Sequence, residues 1–398
     1  MSGECFMPGP LQSLRILDFS ALLPGPFASM MLADMGADVL RIESPQRADL
    51  VRWMPPFANG VSRVHAQLNR NKDSLALDLK SEEGRAVIFR LLQDYDIVIE
   101  QFRPGVMQRL GLDEATLRQH CPGLIYCALT GYGQTGPYRD RAGHDLNYLA
   151  IAGALSYNGR RASGPQPMSV QFADLAGGSA HAVIALLAAV IHRQRTGEGQ
   201  SIDISMTDAA FALQPLATPA ALAGTDPGLE TETLNGGGFY DCYVCADGAY
   251  LSVAALEPVF MHSFLTAIDR LDLSPLTLAH ADADSVRRLK SGIAQTLLAQ
   301  PRAHWLQVLA AVDACVEPVL SLQEAAQHPQ LQARGMLVEV AQGETSLTQV
   351  ASPLRFSRTP VAYRHAGKDL GADSLRILAR LGYTAEALAD WRRRGIIA

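Results

Sequence analysis

The sequence is poor in cysteine and has no thiol framework. Six cysteines occur among 398 residues, and only Cys242 and Cys245 have a spacing that suits a metal ion. No second pair and no histidine cluster accompanies them, and alternation along a strand would point the two side chains to opposite faces. We therefore predict no metal site and no disulfide, and reduced thiols favour a cytoplasmic location.

The chain also lacks an excess of basic residues and a long apolar run. Its formal net charge is −6, and charged residues make up only 19% of it. Binding to nucleic acid or to an anionic membrane would need a basic field that this composition does not supply. The first ten residues lack a secretory pattern, and the apolar run at residues 182–191 is shorter than the roughly 20 residues of a membrane span. We expect a globular protein that binds neither nucleic acid nor membrane.

Two nucleotide-binding motifs are missing as well. The turn after the first predicted strand reads Leu-Leu-Pro-Gly-Pro at residues 22–26 and not G-x-G-x-x-G. No phosphate-binding loop that ends in Gly-Lys-Ser or Gly-Lys-Thr occurs. These absences argue against a nicotinamide or flavin cofactor and against nucleotide hydrolysis.

Strand-like and helix-like segments alternate over the first 200 residues. Helices are predicted over residues 27–35, where Gly36 would end the helix, and over 82–93, where Ser81 would cap it. Buried-strand patterns occupy residues 14–19, 37–42, 75–79, 96–100 and 124–129. These units predict an α/β fold with a Rossmann-like parallel sheet that helices cover on both faces.

The pattern changes near residue 200, which indicates a second domain. A predicted strand at residues 201–205 and a helix at 208–222 precede a stretch rich in Gly, Thr, Asp and Asn. Segments 240–244 and 250–254 then flank Ala-Asp-Gly, which is typical of a hairpin turn. The predicted organisation is a large domain over 1–205 that a tail over about 330–398 completes, a linker over 206–238, and a small α+β domain over 239–329.

Three titratable residues occupy positions typical of functional sites. His144 lies in Gly-His-Asp-Leu-Asn-Tyr at residues 143–148, Asp174 precedes a Gly-rich helix start, and Glu257 follows a predicted strand. An imidazole both accepts and donates protons at neutral pH, because its ordinary pKa is about 6.5. One imidazole and two carboxylates suffice to remove a proton from one face of a carbon and return it to the other. The three residues therefore suggest a racemase or epimerase.

Each of these residues also fits a structural role. At a helix start the helix dipole would favour the ionised, proton-accepting form of Asp174, but this residue also fits a simple helix cap. Glu257 fits the cap of a helix that begins at Pro258, and His144 fits a structural histidine whose hydrogen bonds are satisfied. The residues taken alone leave these alternatives open.

Longer motifs carry a resemblance to a known family. They stand in order along the chain at residues 23–26, 34–43, 69–72, 77–80, 102–106, 110–112 and 130–137. On these motifs the sequence resembles the family III CoA-transferases, also called the CaiB/BaiF group, which includes the α-methylacyl-CoA racemases. The resemblance covers nearly the whole chain and is much more specific for the family than for the reaction.

The resemblance implies an acyl-CoA racemase or epimerase. Racemases of this family have a histidine in a Gly-His-Asp-Ile/Leu-Asn-Tyr motif and a glutamate in an Ala-Ile-Glu-Pro-like motif, which His144 and Glu257 match. The implied reaction is 1,1-proton transfer through an enolate of a 2-methyl-branched or 2-aryl acyl-CoA. His144, paired with Glu257, would serve one face of the α-carbon and Asp174 the other. No cofactor or metal is implied, because coenzyme A is part of the substrate.

Neighbouring residues would support this chemistry. We expect Asp145, Asn147 and Tyr148 to support the site, with backbone N–H groups beside His144 and Asp145 donating to the enolate oxygen. The resemblance further implies an interlocked homodimer. In such a dimer, Glu257 of one chain is expected to face His144 of the other.

Coenzyme A carries phosphates that need cations. The positions that match the family, or that follow a buried strand, suggest Arg41, Arg70, Lys72 and Arg103 as contacts, and Lys72 alternatively as a solvated surface charge. Many racemases have an arginine where this chain has Ser44, so one contact is in question, and Arg47 is a possible replacement.

Two alternative functions stay open. Transferases of the family use the aspartate at position 174 as a nucleophile that forms a mixed anhydride with the acyl group. The segment Val-Arg-Trp-Met-Pro-Pro-Phe at residues 51–57 resembles transferases more than racemases. The other alternative is a non-catalytic protein that only binds acyl-CoA.

Overall fold

A computed structural model describes residues 9–277 and 282–398 of the chain. The chain divides into two compact units. The first contains the residues up to Ala152, then Met168–Leu213 and Gln330–Ala398, and the second contains Gly153–Pro167 and Gln214–Pro329. Residues 153–167, which the sequence analysis assigned to the large domain, therefore belong to the second unit.

A six-stranded parallel sheet forms the centre of the first unit. From one edge to the other its strands are Ser201–Ser205, Ile125–Thr130, Ile97–Glu100, Arg15–Asp18, Asp38–Glu43 and Asp73–Ala76. The central strands Ile97–Glu100 and Ile125–Thr130 are mainly apolar and buried along their whole length, as is typical of a parallel sheet. The predicted α/β fold with a Rossmann-like parallel sheet is confirmed.

The strand order reverses in the middle of this sheet. Arg15–Asp18 pairs on one side with Asp38–Glu43 and on the other with Ile97–Glu100. Just beyond these strands, the Phe19 N–H donates to the Ile99 carbonyl at 2.8 Å. Open α/β sheets bind ligands outside the carboxyl ends of the strands at such a reversal. The topology therefore indicates where a ligand site is to be sought.

Helices cover the sheet, and two of them match the prediction at one end each. The helix predicted over 27–35 begins earlier, at Pro24, and the one predicted over 82–93 ends at Leu91. The Ser81 hydroxyl accepts the Gly84 N–H at 2.9 Å and caps Glu82–Leu91, while Gly36, with a φ of 102°, follows the helix Pro24–Asp34. The other α-helices of this unit are Arg63–Leu68, Val106–Arg109, Glu114–His120, Asp145–Ile151, His181–Thr196, Met206–Ala212, Ser374–Arg380 and Ala385–Arg393, with a 3-10 helix at Leu50–Trp53. Pro329–Ala333 begins at the boundary between the two units.

The carboxyl-terminal residues pack within the first unit. Ile377, Leu378 and Trp391 belong to the same apolar core as the sheet residues. An antiparallel hairpin of Leu337–Gln342 and Thr345–Val350, which the sequence analysis did not predict, belongs to this stretch. Two-residue antiparallel ladders pair Phe57–Ala58 with Val61–Ser62 in this unit and Gly159–Arg160 with Gly164–Pro165 in the second.

The second unit has its own sheet and core. Its three antiparallel strands are Asp241–Val244, Tyr250–Val253 and Val316–Pro318, and the first two form the predicted hairpin. Its helices are Ala217–Leu222, Pro258–Ala267, Ala283–Leu298, Arg302–Leu309 and Leu322–Gln327, with 3-10 helices at Thr233–Asn235 and Leu271–Thr277. The sequence predicted one helix over 208–222, but Met206–Ala212 ends before Pro215 and Ala217–Leu222 begins after it. A proline lacks the N–H that a continuous helix needs.

The helix that follows residue 172 is longer than the sequence analysis predicted. It runs over Ala173–Thr196, with 24 residues, and is long and apolar enough to cross a membrane by length and composition alone. The apolar run at residues 182–191 is only the middle part of this helix, because Gly177 and Gly178 lie within the helix and not before it. Of its most apolar window, 44% is buried inside the protein.

Candidate active site

Asp174 lies in a π-helical turn. The helix that contains this residue begins with a π-helical segment, Ala173–Ala180, which continues into the α-helix His181–Thr196. Small residues permit this packing, since a Cβ on Gly178 would lie 3.0 Å from Met206 Cγ. π-Turns are rare and are frequent at functional sites. Asp174 is the second residue of the helix and does not cap it, so the capping alternative is wrong.

The environment of Asp174 changes its acidity. Burial, and next the nearby charge of Asp145, raise its pKa to about 7. The expectation that the helix dipole would favour the ionised form is therefore wrong, because loss of solvation outweighs it. The Asp174 N–H donates to Asp145 Oδ1 at 3.0 Å, which joins the helix to the loop of His144. A carboxyl group with this pKa can both accept and donate a proton at neutral pH.

His144 stands at the start of the helix Asp145–Ile151. Its backbone is extended, and its N–H donates to Asn147 Oδ1 at 3.0 Å, so the side chain of Asn147 fixes this helix end. The His144 side chain is exposed, unlike that of a buried structural histidine. The structure therefore brings together His144, Asp145 and Asp174 in one unit, with the imidazole accessible.

Tyr148 is buried beneath this loop. Its hydroxyl donates to the Gly143 carbonyl, and its ring packs edge to face on Tyr132 with the ring centroids 5.2 Å apart. A Cβ on Gly131 would lie 2.4 Å from the Tyr148 ring, and one on Gly143 would lie 2.6 Å from it. Burial, and next the charge of Asp174, raise the pKa of Tyr148, so it stays a neutral donor. Tyr148 therefore holds the residue that precedes His144.

Glu257 belongs to the second unit. It occupies the N-cap position of the helix Pro258–Ala267, yet its side chain makes no capping hydrogen bond. The carboxylate is exposed, and it raises the pKa of the Cys315 thiol after the effect of that thiol's own desolvation. The capping alternative is therefore wrong for the side chain of Glu257.

Arg70 and Lys72 are buried and have internal partners. The Arg70 guanidinium contacts Asp34 at 2.7 Å and donates to the Val350 carbonyl at 2.7 Å. Lys72 Nζ donates to the Pro26 carbonyl at 2.9 Å. Each side chain is only 1% exposed, so neither offers a donor to a phosphate, and Lys72 is not a solvated surface charge. The prediction of a CoA contact is corrected for both residues to an internal structural contact.

Arg41 is buried in the same way. Its guanidinium pairs with Asp49 and lies 3.5 Å from Glu43, and its side chain is 1% exposed. Within the described ranges, Nη1 has no hydrogen-bond partner. A direct contact between Arg41 and a phosphate therefore has no open path in this structure, which corrects that prediction as well.

Arg103 is different, because it is exposed. It follows the strand Ile97–Glu100, next to the reversal in strand order, and its positive charge acts on Tyr148. It also lines a cleft of about 500 Å³ with Glu100, Gln134 and Arg139. Of the four predicted cations, Arg103 is the one with the geometry to contact a ligand. Arg47, the suggested replacement contact, is exposed too.

Glu100 is a titratable residue that the sequence analysis did not single out. It ends a strand at the cleft and is only 4% exposed. Burial raises its pKa to about 7, and the charge of Asp203 adds to this effect. Its signal in the sequence is a lone glutamate directly after the apolar run Ile-Val-Ile.

Comparison with known proteins identifies the family. Residues 11–374 match the family model described as CoA-transferase family III. The chain belongs to this family. It is 33% identical over 382 residues to the alpha-methylacyl-CoA racemase of Homo sapiens, which covers 95% of each chain. It is also 32% identical to the succinate–glutarate CoA-transferase of Agrobacterium fabrum, over 94% of this chain and 96% of that one.

A solved family III structure is also similar. A CaiB/BaiF family protein from Brucella suis superposes with a TM-score of 0.82 and 29% sequence identity, covering 94% of this chain and 100% of that one. The resemblance inferred from the motifs is confirmed. Relatives in the family include both racemases and CoA-transferases, so membership indicates an enzyme of one of these two kinds.

Proposed function

We propose that this family III protein is an acyl-CoA racemase or epimerase. Its substrates would be 2-methyl-branched or 2-aryl acyl-CoA thioesters, and its reaction a 1,1-proton transfer through the enolate. The observation that carries the proposal is the hydrogen bond from the Asp174 N–H to Asp145 Oδ1, which sets this carboxyl group, whose pKa burial raises to about 7, beside the loop of the exposed His144. A base that must also return a proton works best with a pKa near the operating pH, whereas a nucleophilic carboxylate must be ionised.

In the proposed reaction, two residues act on opposite faces of the α-carbon. The Asp174 carboxylate removes the α-proton from one face, and the His144 imidazolium donates a proton to the other. The reverse direction exchanges these roles. The enolate oxygen needs donors as it forms, and the Asp145 N–H lies in the first helical turn, where N–H groups lack a carbonyl partner within the helix.

The substrate's CoA portion would lie at the reversal in strand order. This is the position at which doubly wound sheets bind their ligands, and Arg103 follows one of the two strands there. An arginine can hold a phosphate through two parallel hydrogen bonds. Arg47 is the second proposed contact, on the strength of its exposure. No further cofactor is proposed, and the proposed location is the cytoplasm.

A homodimer is proposed to complete the site. Exposed apolar side chains lie on helices of the first unit that pack against one another, which is typical of an interface. They are Leu146, Ile151, Ile184, Ile191 and Phe211. We propose that the dimer is interlocked and that Glu257 of one chain faces His144 of the other. Analytical ultracentrifugation of the wild type should give a dimer, and a monomer at assay concentration would contradict the proposal.

Exchange of the α-hydrogen with solvent tests the racemase directly. A panel of 2-methyl and 2-aryl acyl-CoA thioesters is incubated in deuterium oxide with the wild type, His144→Ala and Asp174→Ala. The wild type should incorporate deuterium, and each variant should racemise ~10²- to 10⁴-fold more slowly, the usual contribution of a general base. Absence of exchange with every thioester would contradict the proposal.

The CoA-transferase remains the second candidate function. Two observations favour it: several relatives bear that name, and the segment at residues 51–57 resembles transferases in sequence. A transferase predicts that hydroxylamine traps an acyl adduct on Asp174 in the presence of acyl-CoA, and that a free acid accepts CoA. A protein that only binds acyl-CoA would do neither and would tolerate His144→Ala.

A further inference from the structure

Two of the family motifs meet in a largely buried cluster, which we call the brace. We define this brace as the first turn of the helix Pro24–Asp34, with Leu-Pro-Gly-Pro at residues 23–26, together with Lys72 and Asp18. Lys72 Nζ donates to the Pro26 carbonyl at 2.9 Å and to Asn69 Oδ1 at 3.1 Å, and lies 3.4 Å from Asp18 Oδ2. Lys72 and Asp18 are 1% and 0% exposed. The buried ion pair of Lys72 and Asp18 therefore fixes the turn through the Pro26 carbonyl.

The other side of the turn is fixed equally tightly. The Gly25 N–H donates to Gln101 Oε1 at 2.9 Å, across the reversal in strand order. A Cβ on Gly25 would lie 2.2 Å from Ser20 Cβ, so only glycine fits there. The turn thus has one position and little freedom to move.

Ser179 joins this brace to the helix of Asp174. It is 0% exposed, and its hydroxyl donates to the Pro24 carbonyl at 2.6 Å. The same hydroxyl lies 3.1 Å from the carbonyl oxygen of Asp174. Ser179 follows Asp174 by five residues, which is the spacing of a π-helical hydrogen bond. One side chain therefore ties the turn to the π-helical register that orients Asp174.

From this geometry we infer that Ser179 is a positioning residue for Asp174. It anchors the π-turn on the brace, so that the carboxyl group keeps one direction and one degree of burial. The inference rests on the proposed function for the role of Asp174 in catalysis, but the anchoring of the turn does not depend on it. It also explains the role of Lys72 and of residues 23–26, which are not among the proposed ligand contacts: they support the segment that carries Asp174.

Loss of the anchor has a definite consequence. Without the Ser179 hydroxyl, the first helical turn can relax towards α-helical spacing, which rotates Asp174 about the helix axis. A displacement of about 1 Å at a catalytic group can cost ~10²-fold in rate. Because burial is what raises the pKa of Asp174, a rotated and better hydrated carboxyl group should have a lower pKa.

The experiment compares Ser179→Ala with Ser374→Ala. Ser374 is a matched control, since it is also 0% exposed and lies in the same unit, where its Oγ accepts the Ala76 N–H. Infrared difference spectra against Asp174→Asn report the carboxyl pKa at position 174 without any assay of activity. For Ser179→Ala we expect a lower pKa of Asp174 and a kcat that falls ~10- to 100-fold with KM unchanged. Ser374→Ala should alter neither.

The outcomes separate the inference from the proposed function. An unchanged pKa and an unchanged kcat in Ser179→Ala would overturn the positioning role. A lowered pKa in a protein whose wild type neither exchanges nor transfers would keep the positioning role and reject the function. If Ser179→Ala does not fold, Ser179→Cys keeps nearly the same volume with a weaker donor and should give a smaller shift in the same direction, and no shift would overturn the inference.

Discussion

Asp18 and Asp174 lie in the same unit, but their pKa values are shifted in opposite directions. Burial alone would raise the pKa of Asp18, yet the charge of Lys72 and hydrogen bonds from Ser20 and Ser29 together lower it. Asp174 is less buried, no cation among the described residues lowers its pKa, and that pKa rises to about 7. Between these two residues, the neighbouring cation and the hydrogen bonds decide the direction in which the pKa moves. The Asp18 carboxyl group is thus held ionised within a rigid region, whereas the Asp174 carboxyl group is able to exchange a proton.

Removing the buried carboxylate should have the largest effect on stability. Asp18→Asn leaves Lys72 buried without its counterion, which typically costs roughly 3–5 kcal/mol of unfolding free energy. Denaturant unfolding measures this loss. The double variant Asp18→Asn with Lys72→Met removes both charges and should recover part of it. If Asp18→Asn had the same free energy of unfolding as the wild type, the proposed difference between the regions of Asp18 and Asp174 would be contradicted.

Asp174→Asn should show the reverse behaviour. Removing a partly desolvated carboxyl group without a cation should leave stability nearly unchanged, while racemisation slows ~10³-fold, equivalent to about 4 kcal/mol in the barrier. Thermal unfolding and the rate of racemisation are measured on the same preparation. A variant that unfolds but racemises normally when folded would assign Asp174 a structural role.

Glu100 sharpens the comparison, because it is buried like Asp18 and, as for Asp174, no cation among the described residues lowers its pKa. Its pKa of about 7 lies above the ordinary 4.5, so its contribution to stability is full below pH 4.5 and is lost as the pH rises through 7. Relative to Glu100→Gln, the wild type should therefore lose roughly 3 kcal/mol of unfolding free energy across that interval. A difference between the two proteins that does not change with pH would contradict this assignment.

The arginines offer the smallest test. Arg103→Ala should raise KM for acyl-CoA ~10-fold, about 1.4 kcal/mol, without loss of stability, because the side chain is exposed. Arg70→Ala should instead lower stability, since it leaves Asp34 buried without its partner. Steady-state kinetics and unfolding of both variants decide the assignment. If Arg103→Ala and Arg70→Ala raised KM equally, the assignment of Arg103 to the ligand and of Arg70 to the interior would be rejected.

Much of the fold follows from local patterns in the sequence. Buried apolar runs marked most of the sheet strands, and Ser81, Gly36 and the turn at Asp247 marked helix ends and a hairpin. The hairpin around Gly343 was missed although its residues alternate, and the strand at Asp73–Ala76 was placed a few residues late. Boundaries shift because strand pairing, and not propensity alone, fixes them.

The site was only partly predictable. The three catalytic candidates stand in motifs, but the pKa of Asp174 depends on burial and on Asp145, which lies 29 residues away along the chain. The surroundings of the cations are hidden from the sequence for the same reason. Arg70 finds its partners at Asp34 and Val350, and no local pattern shows that such a charge is paired inside the protein.

The most direct test of the two-base account follows each enantiomer separately. Deuterium incorporation at the α-carbon is measured from the R and from the S thioester with the wild type, His144→Ala and Asp174→Asn. The account predicts that each variant loses exchange mainly with one enantiomer, and that the two variants differ in which one. Equal loss of exchange with both enantiomers in both variants, or no exchange in the wild type, would contradict it.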